Sequence, residues 1–330
     1  MNTHRICLRM NGTTFVIALV LLVLSEGLHL RKLQGGDEAI GHTSENYTSF
    51  LNGVATHRFD ETSVEHNASE QMFAAFLNKT RSMMQGQPLM FANPSETDRV
   101  AVTVFPGGSD VETYSQIIRW NLRMLGSRWA LQIFYGKEEE RSTLHRALGN
   151  NSRVIWTPIV LQGKRKESTT LNEYNWLLLT KYFWRQIQHE HILIFEPDSL
   201  VIKGSGCVES FFQYDYVGAP WKAHYGLCSC GNGGFSLRRR SSAIAAVSSP
   251  DAKEWLGDSP DSYYRAQDFI MCQLLDSVHA NIAPIKKEGG FSVESIDFES
   301  PCGFHKPWKY LKREVLSRLL HQALHNLPRQ

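Results

Sequence analysis

The sequence predicts an α/β fold built on a mainly parallel central sheet. Two patterns carry that prediction. From Arg99 onward, short β-rich runs alternate with stretches of helical periodicity, and such alternation implies parallel strands joined by right-handed crossovers. At His191 to Ile202, HILIFEPDSLVI, an apolar run stops at Glu196-Pro197-Asp198. Proline cannot donate to a ladder, so pairing ends there. Open α/β sheets bind ligands at the carboxyl ends of their strands. Two carboxylates at such an edge suit a hard divalent cation and, through it, a phosphate.

The elements follow in order. Val100 to Phe105 is the first strand, ending at Pro106-Gly107-Gly108. Ser109-Asp110-Val111-Glu112 has the form of a capping box and opens a helix that Gly126 ends. Trp129 to Tyr135 reads as the second strand, Lys137 to Leu148 as a charged helix closed by Gly149, and Val154 to Trp156 as the third strand. Leu171 to Gln186 reads as one amphipathic helix, with Trp176, Leu179, Tyr182 and Phe183 at helical spacing. The strand ending at Glu196 comes next. Tyr214 to Trp221 is a strand running into a turn. Cys228 to Arg240, CSCGNGGFSLRRR, reads as a glycine-rich loop followed by a short strand. Its glycines would let backbone approach a ligand closely. Arg238, Arg239 and Arg240 are either diphosphate contacts or a solvated basic surface. Asp268 opens a helix, and Leu311 to Leu327 forms a closing helix that serves packing. No G-x-G-x-x-G follows the first strand and no G-x-x-x-x-G-K occurs, which disfavours nicotinamide and P-loop chemistry.

The 330 residues carry a net charge of +2, with 42% hydrophobic residues. A sizeable core is within reach, and the charge balance gives no reason to expect nucleic acid as a partner. Phe15 to Leu24 is uninterrupted and apolar, preceded by Arg5 and Arg9. Residues 1–31 therefore read as a cytosolic tail and signal anchor, or as a signal peptide. Residues 32–98 are polar without sustained periodicity and read as a poorly ordered stem. Asn46, Asn67, Asn78 and Asn150 begin glycosylation sequons, in keeping with a lumenal chain. Residues 99–330 form the catalytic-size domain. Beyond Cys7 the cysteines are Cys207, Cys228, Cys230, Cys272 and Cys302. They read as disulfides or inert buried thiols, and their odd number leaves one unpaired or paired between chains.

Taken in order, IFEPDS, YDYVGAPW, GNGGFSLRRR, QDF and GFHKPW resemble an uncharacterised glycosyltransferase-like domain family placed with the A-type glycosyltransferases. The resemblance covers about Arg99 to Trp308 and implies a single Rossmann-like domain. GFHKPW is also similar to the G-x-x-K-P-W ending of glycogenin-like transferases. The implied activity moves a sugar from a nucleotide-sugar donor to a glycan, glycoprotein or glycolipid acceptor, with a divalent cation (Mn or Mg) on the diphosphate. Asp198 matches the second acid of a D-x-D-type metal motif, and Glu196 stands in place of the first. His305 resembles the C-terminal histidine that completes such a metal site. The resemblance further implies Lys306 and Trp308 near the diphosphate, and Asn232, Gly233 and Gly234 along the sugar pocket. Asp268 matches the acid that commonly faces the acceptor hydroxyl and is the candidate base if the reaction inverts; the sequence leaves inverting and retaining both open. The chain departs from these relatives at Glu196, at Gln267, where an acid often stands, and at Ser300, where glycogenin-like enzymes have a metal histidine. Those departures motivate an alternative, a catalytically silent sugar-binding or scaffold protein on the same fold. A metal-dependent phosphoesterase would want more clustered His and Asp residues. The implied location is the Golgi or another secretory-pathway membrane with the domain in the lumen, or the exterior if the leader is cleaved.

Overall fold

The β-rich runs pair as a layered α/β structure. A computed structural model describes residues 64–84, 87–105, 110–221, 230–256 and 266–328. The apolar run Phe15 to Leu24, the expected stem up to residue 63, Asn46, Ser109 and Cys228 lie outside the described residues. So does the turn Pro106-Gly107-Gly108.

In chain order the strands are β1 (Arg99–Phe105), β2 (Ala130–Tyr135), β3 (Ile155–Pro158), β4 (Val160–Leu161), β5 (Lys164–Arg165) and β6 (His191–Phe195). They continue with β7 (Ser199–Val201), β8 (Tyr216–Ala219), β9 (Asn232–Arg239), β10 (Ser292–Val293) and β11 (Gly303–His305). The main sheet has six strands in the order β3-β2-β1-β6-β9-β8. β1 pairs in parallel with β2 and β6, and β2 with β3. β9 runs antiparallel to both β6 and β8. The fold class is thus α/β with a mostly parallel sheet. Central strands are buried along their length, as a sheet covered on both faces requires. A second sheet, β10-β11-β7, carries His305 and begins its β7 strand one residue after Asp198.

The helices are α1 (Val64–Met84), α2 (Val111–Leu125), α3 (Glu138–Ala147), α4 (Leu171–Leu177), α5 (Lys181–Gln186) and α6 (Ser205–Glu209). After them come α7 (Arg240–Ser248), α8 (Pro250–Leu256), α9 (Gln267–Ser277), α10 (Ile285–Phe291) and α11 (Arg313–His325). α2 is capped by Asp110, not by Ser109 as the capping-box pattern suggested. The Asp110 carboxylate accepts from the Glu112 amide at 3.0 Å and from Thr113 Oγ1 at 2.6 Å. Gly126, at φ 74°, ends the helix as expected. The single helix expected over Leu171 to Gln186 is two helices. Thr180 explains the break: its hydroxyl donates to Leu177 O at 2.7 Å and accepts from the Phe183 amide at 3.2 Å. One side chain closes α4 and caps α5, which continuous helix would forbid.

The largest departure lies before Arg99. The stretch expected as stem contains α1, and its Phe73, Phe76 and Leu77 belong to the hydrophobic core. Phe73 stacks on Trp308 at 4.5 Å, and Phe76 meets Trp120 edge-on at 5.0 Å. Burying such a side chain stabilises by roughly 1.5–3 kcal/mol, so the domain begins before Arg99. Sparse apolar positions in a polar run hid the helix. Among the described residues no helix is long and apolar enough to cross a membrane.

Among the described residues the cysteines form two disulfides. Cys207 pairs with Cys302, and Cys230 with Cys272. The first ties α6 to the residue before β11. The second ties the start of β9 to α9.

Candidate functional site

Asp198 and Glu196 stand just past the carboxyl end of β6. The chain turns there because Pro197 ends the pairing, and it continues as β7. α2 fixes β7 in place: Asn121 donates to Ser199 O at 3.2 Å and accepts from the Val201 amide at 2.8 Å. Trp120 adds a bond to Val201 O at 2.8 Å. β11 pairs antiparallel with β7 so that His305 lies opposite Ser199. The Lys306 amide donates to Asp198 O at 2.9 Å. That register brings residues a hundred positions apart into one cluster.

His305 is its centre and is 2% exposed. Its Nε2 lies 3.2 Å from Glu196 Oε2 and 3.2 Å from Asp198 Oδ1. Its Nδ1 donates to Glu294 Oε1 at 3.0 Å. Lys306 Nζ approaches Asp198 Oδ2 at 3.4 Å and Glu196 Oε2 at 4.0 Å. Tyr174 on α4 donates its phenol to Glu196 Oε1 at 2.9 Å. Lys306 holds φ at 27°, a left-handed conformation that a non-glycine residue adopts at a cost.

The electrostatics follow from these contacts. Burial would raise Asp198 and Glu196, but the adjacent His305 imidazolium, with Lys306, outweighs it and holds both below the ordinary carboxylate range. Burial would equally depress His305 and Lys306, yet Asp198 and its neighbouring acids push both upward. Both carboxylates are therefore ionised.

Such a cluster can hold a metal ion. One donor atom from each of Glu196, Asp198 and His305 lies within 4.8 Å of the others. Asp198 Oδ1 is buried and faces His305 Nε2 at 3.2 Å. Two carboxylates and an imidazole suit manganese or magnesium better than a thiol-seeking metal. The residues present fit a hard divalent cation.

β9 borders this cluster. Its antiparallel register with β6 sets Gly234 beside Glu196, and Gly234 O accepts from the Glu196 amide at 2.8 Å and from Ser199 Oγ at 3.0 Å. Asn232 Oδ1 accepts from the Gly234 amide at 2.7 Å. Gly233 and Gly234 are thus strand residues, where a glycine-rich loop was expected. A Cβ on Gly234 would collide with the His305 ring, and a Cβ on Gly233 would collide with Gln267 and Arg238. The glycines are needed for close approach of side chains, whatever ligand they also face.

Asp268 stands apart from the cation cluster. Its Oδ2 accepts from the Gly233 amide at 2.9 Å and its Oδ1 from the Phe269 amide at 2.8 Å. It is 5% exposed, and burial raises its carboxyl above the ordinary aspartate range. Gly233 and Gly234 face opposite sides of β9, so Asp268 and His305 pack on opposite sides of that strand.

Two sequence expectations are corrected. Trp308, expected near a diphosphate, stacks on Phe73 inside the core because α1 covers it. The arginine run does not reach the carboxyl edge, since β9 runs away from it and Arg239 pairs with His191. Arg239 instead binds Asp215 at 2.9 Å, and buried Arg238 donates to Gln267 Oε1 at 3.0 Å. Sequence reasoning also missed Glu294 and Tyr174. Each is a lone polar residue in an ordinary run, with no spacing signal.

Residues 162–305 match the family described as "Protein of unknown function (DUF5672)". No curated protein matches the chain. Among solved structures, the apo bifunctional glycosyltransferase WbbM is similar at a TM-score of 0.45 and 7% identity, over 70% of this chain and 52% of that one. Apo GlyE, a glycosyltransferase in Streptococcus pneumoniae TIGR4, is similar at a TM-score of 0.43 and 12% identity, over 68% and 60%. The mannosyltransferase PcManGT from Pyrobaculum calidifontis, solved with GDP-Man and Mn2+, is similar at a TM-score of 0.38 and 12% identity, over 67% and 66%. The chain spans between about half and two thirds of these proteins. Likeness at this distance carries no argument about chemistry, so the α/β class rests on the sheet described above. The family match ends at His305, and none of these similarities supports a glycogenin-like tail.

Proposed function

We propose that this protein is a nucleotide-sugar-dependent glycosyltransferase whose donor diphosphate is held at Glu196, Asp198 and His305 through a divalent cation. The observation that carries this reading is the convergence of those three donors at the carboxyl edge of a mostly parallel sheet. A cation bound there would supply electrostatic stabilisation to the departing diphosphate. Lys306 Nζ, beside both acids, contributes a second positive charge on the same side. Asn232, Gly233 and Gly234 form the wall next to the donor sugar. In the transfer, an acceptor hydroxyl oxygen bonds to the anomeric carbon while the bond from that carbon to the diphosphate oxygen breaks. The hydroxyl proton passes to a carboxylate base, a role the resemblance gives to Asp268, whose carboxyl is raised by burial and which packs on the face of β9 away from His305. Acceptors are glycans or glycoconjugates.

We further place the domain in the lumen of the Golgi or another secretory compartment, held by the N-terminal apolar segment or released after its cleavage. The two disulfides favour such an oxidising compartment. A screen of the purified chain against nucleotide sugars, with and without chelator, tests the activity. Release of nucleoside diphosphate that depends on both acceptor and cation is the expected result.

One observation favours the silent reading. Both Asp268 oxygens already accept backbone amides, and the side chain packs behind β9 relative to His305. Donor binding without transfer or hydrolysis, across all donors and acceptors tried, would favour a sugar-binding or scaffold protein.

A further inference from the structure

We propose that Glu294 is a positioning residue for the cation site, fixing the His305 ring so that Nε2 faces Glu196 and Asp198. The inference rests on the metal reading above and names a residue outside the expected ligand set. The geometry begins with the small sheet. β10 pairs in parallel with β11, Ser292 beside Gly303 and Val293 beside Phe304. The next step of that register sets Glu294 beside His305. On its other flank His305 lies opposite Ser199, the residue after Asp198. One row across three strands therefore runs from the positioning acid, through the histidine, to the metal-motif turn.

The chemistry makes this row directional. An ionised carboxylate only accepts hydrogen bonds. Glu294 Oε1, 3.0 Å from Nδ1, therefore commits the Nδ1 proton to itself. The other ring nitrogen is left facing the two acids at 3.2 Å. Glu294 is 3% exposed, and a buried carboxylate is costly unless paired. Gly234 packs its bare backbone against the ring, so no side chain on that side sets the ring's angle. The hydrogen bond to Glu294 supplies that constraint. Partners of this kind raise the basicity of a ligating histidine, and their loss typically costs about 10- to 100-fold in metal affinity.

The test titrates Mn2+ into the full-length chain and follows loss of the free-ion electron paramagnetic resonance signal. Unmodified protein, Glu294→Ala and Glu294→Gln are compared, with near-ultraviolet circular dichroism reporting the fold. The alanine variant is expected to bind about 10- to 100-fold more weakly. Glutamine keeps an acceptor for Nδ1–H and is expected to recover part of that loss, which a merely structural role does not predict. If alanine prevents folding, glutamine decides: weakened binding supports the role, and unchanged binding overturns it. Unmodified protein that binds while a folded alanine variant binds equally well overturns the role of Glu294 alone. Failure of the unmodified protein to bind Mn2+ overturns the metal reading and this inference with it.

Discussion

Gly233 and Gly234 are neighbours in β9, yet they border two different chemical environments. On the Gly234 side, His305 sits among three acids and Lys306, with Asp198 and Lys306 still 26% and 30% exposed. On the Gly233 side, Asp268 and Arg238 are almost fully buried, and Asp268 is held by backbone amides. The same type of side chain is driven in opposite directions. Asp198 is kept ionised by adjacent cations that outweigh burial, whereas burial moves Asp268 toward proton uptake. Environments that push two acids apart suit them to different work. The first suits holding charge on a leaving group, the second suits taking a proton.

Substitutions that remove one environment while sparing the other test this division. The largest expected effect is at Asp268. Asp268→Asn removes the proposed base and is expected to lower kcat by about 100- to 10,000-fold. Donor binding, measured by calorimetry, is expected to survive. Loss of donor affinity in step with turnover would merge the two environments into one. Asp198→Asn comes next, with turnover down about 100- to 1000-fold and cation-dependent donor binding weakened as well. Chelator added to the unmodified protein is expected to have the same effect. Undiminished activity in chelator would remove the cation and leave transfer to Lys306 alone.

The glycines give smaller and sharper effects. Gly234→Ala and Gly233→Ala each overpack a filled site, at a cost of roughly 1–3 kcal/mol in thermal unfolding experiments. Gly234→Ala pushes on His305 and is expected to weaken Mn2+ binding. Gly233→Ala pushes on Gln267 and Arg238 and is expected to leave Mn2+ binding intact while slowing turnover. Equal effects on Mn2+ binding would refute the division between the faces of β9. The smallest effect is in pH dependence. A base must be deprotonated, and burial lifts Asp268 above the ordinary value of 3.8. Turnover is therefore expected to fall as pH drops through a value above that figure. An acid limb at or below it would show that Asp268 is not the group titrating.

Much of this was legible along the chain. The run Ile192 to Phe195 stopping at Pro197 marked a strand end with acids on it, and the structure has β6 ending at Phe195. Gly126 and Gly149 marked helix ends, and both hold positive φ. Glycines 233 and 234 signalled close approach without saying of what. Trp308 was misread because aromatic residues at a site and in a core look alike until the covering helix is known. Here that helix is α1, which lay hidden in a polar run.

The sequence by itself determined the main parallel strands and several helix ends, such as those at Gly126 and Gly149, and that paired acids close a strand at the sheet's carboxyl edge. Those properties depend on residues a few positions apart, through alternation, helical spacing and capping, so one stretch of chain is enough to state them. Only the tertiary structure decided that His305 lies between Glu294, the residue after β10, and Ser199, the residue after Asp198. It likewise decided that Asp268 lies behind β9, and that Trp308 is covered. These facts depend on strand register and on which helix packs where. Both are set by burial of distant apolar side chains against one another, and no local pattern encodes them.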